Sequence, residues 1–271
     1  MKTRTITGFI MAIVMIPILI WGDHLEIFNV FCLLLAMGAA WEFRKMFRIA
    51  KTLPLWLDIL TIVLTGLLCF TIIYGQKLGI QTLILPIMIL IFIVVGIILV
   101  FLTQFDGADF GSILTTIIYS SFGFSALALL RMNGLKYVVF ILLAAMITDL
   151  FAYLLGMKYG KHKLIPIVSP KKSVEGAIAG LVFGTLAASL YGIFGGVFAA
   201  DFPIYWIILI ALVLSCLSQV GDLLASKFKR TYGIKDYSHL FPGHGGIMDR
   251  FDSTIFTAMI FFVILSFIGV I

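Results

Sequence analysis

Apolar residues in this chain come in long unbroken runs, separated by short polar stretches, rather than alternating with polar ones. Runs of roughly 17–25 such residues have the length an α-helix needs to cross a bilayer. The pattern predicts nine helices, near residues 5–22, 25–41, 55–74, 80–102, 111–130, 136–156, 174–198, 203–223 and 254–271. The first two are divided only by Gly22, Asp23 and His24, and the last is barely long enough to span. The weak period-two signal of a transmembrane barrel is absent. The expected fold is therefore all-α: a polytopic integral membrane protein of about nine spans. No repeat, low-complexity tract or soluble linker divides it. Residues 1–135 read as N-terminal helices, and 136–271 as a C-terminal region of the same membrane domain, carrying both long polar motifs.

Composition sharpens this picture. Mean hydropathy is +1.18 and 62% of residues are hydrophobic, with 12% charged. Soluble domains carry roughly 25% charged residues. Cys32, Cys69 and Cys216 all lie inside apolar runs, and their odd number and spacing suit neither a disulfide framework nor a metal site. The run after "MKTRTITG" lacks a small-residue cleavage site, so a retained helix is expected there rather than a signal peptide. The formal charge of +6 is unevenly spread. If the N-terminus is cytoplasmic, every lysine and arginine except Lys77, Arg131 and Lys136 falls on the inside, as the positive-inside rule requires. That orientation puts the C-terminus outside and the polar stretches 157–173 and 224–253 in the cytoplasm.

Acidic residues gather late, at Asp149, Glu175, Asp222, Asp236, Asp249 and Asp252. Asp149 lies within an apolar run, where insertion costs at least about 2.5–3.5 kcal/mol, so a partner or a wet cavity is expected. A structural hydrogen bond to a neighbouring helix is the simpler reading. Asp222 ends the eighth predicted span and Asp249 precedes the ninth. Two carboxylates with substrate phosphate oxygens make a hard-oxygen set suited to Mg²⁺. The competing reading pairs Asp222 with Lys227 or Lys229, and leaves Asp249 and Asp252 at a helix start. Asp252 and Ser253 are good candidates to cap the final helix.

The basic residues of "SKFKR", with Lys235, suit anchors to anionic lipid. Their interleaving with Asp236, Asp249 and Asp252 suits a metal-phosphate site better. "PGHGG" supplies a turn at Pro242–Gly243 and backbone N–H groups at Gly245 and Gly246 that can approach an anion. His244 could donate to a phosphate oxygen, while His239 has no comparable setting. In "SPKKSVEG", Ser173 is a plausible N-cap with Glu175 in the first turn. A helix N-terminus preceded by Lys171 and Lys172 is a ready anion site.

The stretch from Ser226 to Asp252, "SKFKRTYGIKDYSHLFPGHGGIMDRFD", resembles the signature of phosphatidate cytidylyltransferases, or CDP-diacylglycerol synthases. Its fixed positions are met by Ser226, Lys229, Arg230, Lys235, Asp236, Ser238, Phe241, Pro242, His244, Gly245, Gly246, Asp249, Arg250 and Asp252. "SPKKSVEG" resembles the family's second polar motif, so the specific likeness covers about 140–271. The resemblance implies that CTP and phosphatidate give CDP-diacylglycerol and pyrophosphate with Mg²⁺, a second cation beside it being open. It further implies Asp222 and Asp249 at the metal, and Lys229, Arg230, Lys235 and Arg250 on the anionic substrates. Ser169, Lys171, Lys172 and Ser173 would bind triphosphate or lipid phosphate, and Asp149 would line the cavity floor. Asp236, His244 and Asp252 join the catalytic candidates, and Glu175, Ser226, Gly245 and Gly246 the substrate-binding ones.

Because phosphatidate stays in the bilayer while CTP arrives in water, the site should be a polar, cytoplasm-facing cavity open to lipid. The resemblance implies a bacterial plasma membrane location, and a homodimer is expected. A CTP-dependent polyprenol or phytol kinase is the alternative enzyme. A transporter would account for Asp149, but not for the polar cluster, and no paired repeat is present. Nucleic acid is not expected as a partner, because orientation and the site already explain the basic residues.

Overall fold

A computed structural model describes residues 2–22 and 26–271, and side chains from residue 7 onward within those ranges. Among the described residues the chain forms α1 (Lys2–Trp21), α2 (Ile27–Phe47), α3 (Leu55–Leu78), α4 (Ile84–Phe101) and α5 (Gly107–Asn133). Then come α6 (Leu135–Tyr159), a hairpin of β1 (Lys163–Ile165) and β2 (Ser169–Ser173), α7 (Val174–Phe194), α8 (Ile204–Thr231) and α9 (Met248–Phe267). Eight of these helices are long and apolar enough to cross a membrane, and α1 contributes a shorter apolar stretch, Thr7–Trp21. The protein is thus a polytopic helical membrane protein. The predicted break at Asp23 and His24, and the side chains of Lys2 and Arg4, lie outside the described residues.

Three expectations need correction. The chain is not wholly α-helical, because β1 and β2 pair antiparallel inside the polar stretch after α6. α8 continues to Thr231, so Ser226, Lys229 and Arg230 sit on a helix rather than in a loop. Finally, α9 begins at Met248, which places Asp252 and Ser253 inside the helix and not at its cap.

The chain divides into two compact units, Met1–Leu129 with Tyr232–Arg250, and Leu130–Thr231 with Phe251–Ile271. In the first, Leu57, Leu64 and Leu68 of α3 pack with Ile91 and Val95 of α4 and Ile113 and Ile117 of α5. Thr61 and Thr65 donate to carbonyls one turn back on α3, while the Ser121 hydroxyl of α5 crosses to the Thr65 carbonyl at 3.0 Å. Arg44, only 1% exposed, pairs through Nε with Asp58 Oδ1 at 2.9 Å, and Arg48 meets the other carboxylate oxygen at 2.8 Å. Burying a charge this deeply is tolerable only with such a partner. Asp106 accepts from the Ala108 and Asp109 N–H groups and so caps α5. Hydrogen bonding from Lys51, which also reaches Asp109, holds the Asp106 carboxyl below the usual carboxylate range.

In the second unit, α6 and α7 pack with almost no space between their backbones. Gly176, Gly180 and Gly184 recur every fourth residue along α7, so they share one face. A Cβ at Gly176 or Gly180 would stand 2.5 Å from the carbonyl oxygen of Ala152 or Thr148. This is the small-residue packing by which helices associate in lipid, where no hydrophobic force drives them together. Its result is positional: Asp149 on α6 is held in fixed register with the N-terminus of α7.

Candidate active site

The segment 232–250 is organised around a buried carboxylate from α2. Glu42, fully buried, accepts at Oε1 from the Ser238 hydroxyl at 2.6 Å and the Ile247 N–H at 2.8 Å, and at Oε2 from the Met248 N–H at 2.9 Å. It therefore supplies the N-terminal cap of α9, satisfying donors that have no intrahelical acceptor and placing negative charge at the positive end of the dipole. Two signature positions follow from this contact. Ser238 is small and hydroxylic because it donates to Glu42, and a Cβ at Gly246 would collide with the Glu42 carboxylate. The turn itself closes through the Phe241–Gly245 bridge, with Gly243 and Gly245 at φ of 75° and 81°, where other residues are strained. Phe43 and Phe47 of α2 hold the segment by edge contacts to Tyr237 and Tyr232, at 5.3 and 5.0 Å.

Within this segment Asp249 accepts at Oδ2 from the Tyr237 N–H at 2.8 Å and the Gly246 N–H at 2.9 Å. The Gly246 N–H, read from the sequence as open to an anion, is thus engaged by Asp249. The His244 ring lies beside Gly8 of α1, and its Nδ1 is buried without a hydrogen-bond partner. Lys235, Asp236 and Arg250 are exposed.

The second unit gathers the remaining candidates. Lys172, near the end of β2, forms an ion pair with Asp222 of α8. Asp149 of α6 accepts from the Ser253 hydroxyl of α9 at 3.2 Å, and the adjacent Asp252 accepts from the Ser253 N–H at 2.8 Å. Asp149, Asp222 and Asp252 feel one another's charge, with Lys172 and Lys229 as counter-charges. α8 delivers its share from a single stripe, in which Ser215, Ser218, Gln219, Ser226 and Lys229 are buried on the Asp222 face. Gln219 donates to the Ala177 carbonyl at 3.1 Å, which ties that stripe to α7. Ser173 caps α7, accepting from the Gly176 N–H at 3.2 Å, as its place in the motif suggested. Glu175 turns back to the preceding polar stretch, binding His162 Nδ1 at 2.6 Å and the N–H groups of Lys161 and His162. Arg230 reaches the Val168 carbonyl at 3.4 Å, while Ser169 and Lys171 lie on β2.

Asp222 thus pairs with a lysine fifty residues upstream, a partner the sequence reading does not consider. Asp222 belongs to the second unit and Asp249 to the first. Among the described residues, no group of three or more His, Cys, Asp or Glu is arranged as a metal site. The donor chemistry of the second unit nevertheless fits a hard cation. Asp149, Asp222 and Asp252 all offer carboxylate oxygens there, the donor type a hard cation takes. Glu42, which organises the segment 232–250, is the residue that sequence reasoning missed. The only local signal for it was an acid late in an apolar helix, and its partners lie about two hundred residues away.

The fold and these constellations define a helical membrane protein that collects carboxylates and lysines at the ends of its spans. A model of the cytidylyltransferase family matches residues 2–268, and the chain belongs to that family. It is 37% identical over 259 residues to a phosphatidate cytidylyltransferase of Staphylococcus saprophyticus subsp. saprophyticus, covering 94% of this chain and 95% of that protein. Proteins of the same name from Staphylococcus epidermidis and Staphylococcus aureus are 34% and 35% identical, with the same coverage of both chains.

Proposed function

We propose that this protein transfers the cytidylyl group of CTP to phosphatidate, forming CDP-diacylglycerol and pyrophosphate. A phosphate oxygen of the lipid forms a bond to the α-phosphorus of CTP, and the bond from that phosphorus to the β-phosphate oxygen breaks as pyrophosphate leaves. Such transfers need positioning and charge neutralisation more than a protein nucleophile. The observation that carries the reading is the Lys172–Asp222 pair, which brings a lysine of the "SPKKSVEG" motif onto the acid that ends the eighth predicted span. A phosphate-binding ammonium beside an acidic metal ligand is what a nucleoside triphosphate and its cation require.

In this reading Lys229, Arg230, Lys235 and Arg250 hold the two anionic substrates, and Ser169, Lys171, Lys172 and Ser173 take phosphate oxygens. Asp222 and Asp249 hold Mg²⁺, with a second cation as an open variant, and the metal when bound supplies charge neutralisation for the triphosphate. Nine spans, a cytoplasmic N-terminus, a site opening to the cytoplasm of a bacterial plasma membrane, and a homodimer complete the proposal. The basic bias of the predicted inner segments supports that orientation.

The test uses detergent-purified full-length protein with phosphatidate, Mg²⁺ and CTP labelled separately in the cytosine ring and at the γ-phosphate. Ring label should enter the lipid phase, γ label should leave as pyrophosphate, and both should fail in Asp249→Asn. Ring label that never enters lipid from folded protein overturns the reading. Transfer of γ label to an added polyprenol would replace it with a kinase.

A further inference from the structure

Two concave regions of the first unit share Lys45 and Arg48. The larger, about 410 Å³, lies between α2 and α3. From α2 and its C-terminal cap it takes Trp41, Arg44, Lys45 and Arg48, and from α3 Leu55, Asp58, Ile59 and Ile62. Each set follows the i, i+3, i+4, i+7 spacing, so two helix faces form the opposing walls. The smaller, about 320 Å³, adds Asp236, Ser238 and His239 of the signature segment to the same Lys45 and Arg48.

The charges of the larger groove do not cancel. Arg44 and Arg48 share the single carboxylate of Asp58, which leaves one positive charge over. Lys45 adds a second: its ammonium lies 5.3 Å from the Trp41 ring, and no carboxylate among the described residues pairs with it. Beyond the charged end the walls are apolar and open, with Leu55 61% and Ile59 54% exposed. From Leu55 to Ile62 the helix rises about 10 Å, enough for the upper part of an acyl chain. A soluble anion has no use for that wall, and a neutral lipid has no use for the charges. An anionic lipid headed by phosphate matches both.

We propose that this groove is a loading site for a phosphomonoester lipid. Lys45 and Arg48 take its phosphate, and the chain lies along Ile59 and Ile62. The assignment deepens the cytidylyl-transfer reading and rests on it for the identity of the lipid as substrate. Asp236, Ser238 and His239 in the adjoining concavity give the phosphate its route from the groove to the signature segment.

The experiment reconstitutes the full-length protein with phosphatidate or phosphatidylcholine carrying a photoactivatable acyl chain, and maps the adducts by peptide mass spectrometry. Phosphatidate should label residues 41–62 several times more than phosphatidylcholine, and Lys45→Gln should remove that preference. Equal labelling by both lipids, or no label there, overturns the site. Kinetics give a second reading. Lys45→Gln and the groove-filling Ile59→Trp should each raise KM for phosphatidate about fivefold, the value of roughly 1 kcal/mol for one basic contact to an anionic lipid. KM for CTP and the Lys77→Gln control should stay unchanged. Equal rises for both substrates, or none, overturn it as well. Ile59→Cys chains that cross-link to each other in membranes would give the groove to a second copy and also overturn it. Should the transfer chemistry itself fail, the selective label would persist while no CDP-lipid forms, so the two failures are separable.

Discussion

Glu42 and Asp222 are both carboxylates carried on apolar helices, and the two units treat them differently. In the first unit Glu42 meets three donors, and Asp58 meets two guanidinium groups. Both are enclosed, and both hold backbone elements together. In the second unit Asp222 has one ammonium, from Lys172, and Asp149 and Asp252 each accept one hydrogen bond, from the Ser253 hydroxyl and N–H. A carboxylate saturated with donors is a device for fixing structure, whereas one with acceptor capacity to spare suits binding something else. A residue's burial alone would not have separated the two cases. The count of its partners does.

The contrast is sharpest at Asp222→Asn. Cytidylyl transfer should fall about a thousandfold, on the scale of lost charge stabilisation at a transferring phosphoryl group, while the thermal midpoint in detergent stays put. A collapse of the midpoint would show that Asp222 is structural and break the comparison. Glu42→Ala should do the reverse in stability. Leaving three donors without an acceptor costs on the order of 3 kcal/mol, and activity should drop some 10–100-fold as the segment carrying Asp249 loosens. Glu42→Gln, keeping one acceptor oxygen, should recover part of both. Gly180→Leu tests the packing that holds Asp149 in place. Its side chain meets backbone rather than a movable group, so a loss of about 1–3 kcal/mol in detergent unfolding is expected, with activity lost in proportion. Smallest of all is Lys51→Ala, which removes an exposed pair to Asp106 and a part-buried one to Asp109, and should lower melting only slightly and leave turnover unchanged.

Much of this was legible in the sequence, for a definite reason. In a bilayer, apolar run length is a direct measure of helix length, so every predicted helix has a counterpart among the described ones. The signature was legible because its residues are close in sequence. The ends of α8 and α9 were not, since charged residues on a helix that continues past the apolar run look like loop. Nor was the hairpin at 163–173, whose lysines, serines and proline give no period-two pattern. The Gly176, Gly180, Gly184 stripe was present in the letters but carries meaning only once α6 is known to face it. Contacts such as Lys172 to Asp222 and Glu42 to Ile247 join distant stretches, and no local pattern encodes them.

The reach of Glu42 has a consequence for how the protein is made. Its partner Ile247 is 205 residues further along the chain. At about 5–20 residues per second, the ribosome takes roughly 10–40 s to cover that distance. Throughout that interval α2 carries an acid without its final donors, and the first unit lacks the segment that completes it. A chain truncated before Ser238 would therefore leave Glu42 exposed as a mark of an unfinished protein. The carboxylate that caps α9 in the finished molecule is, during synthesis, a record of whether the end of the chain has arrived.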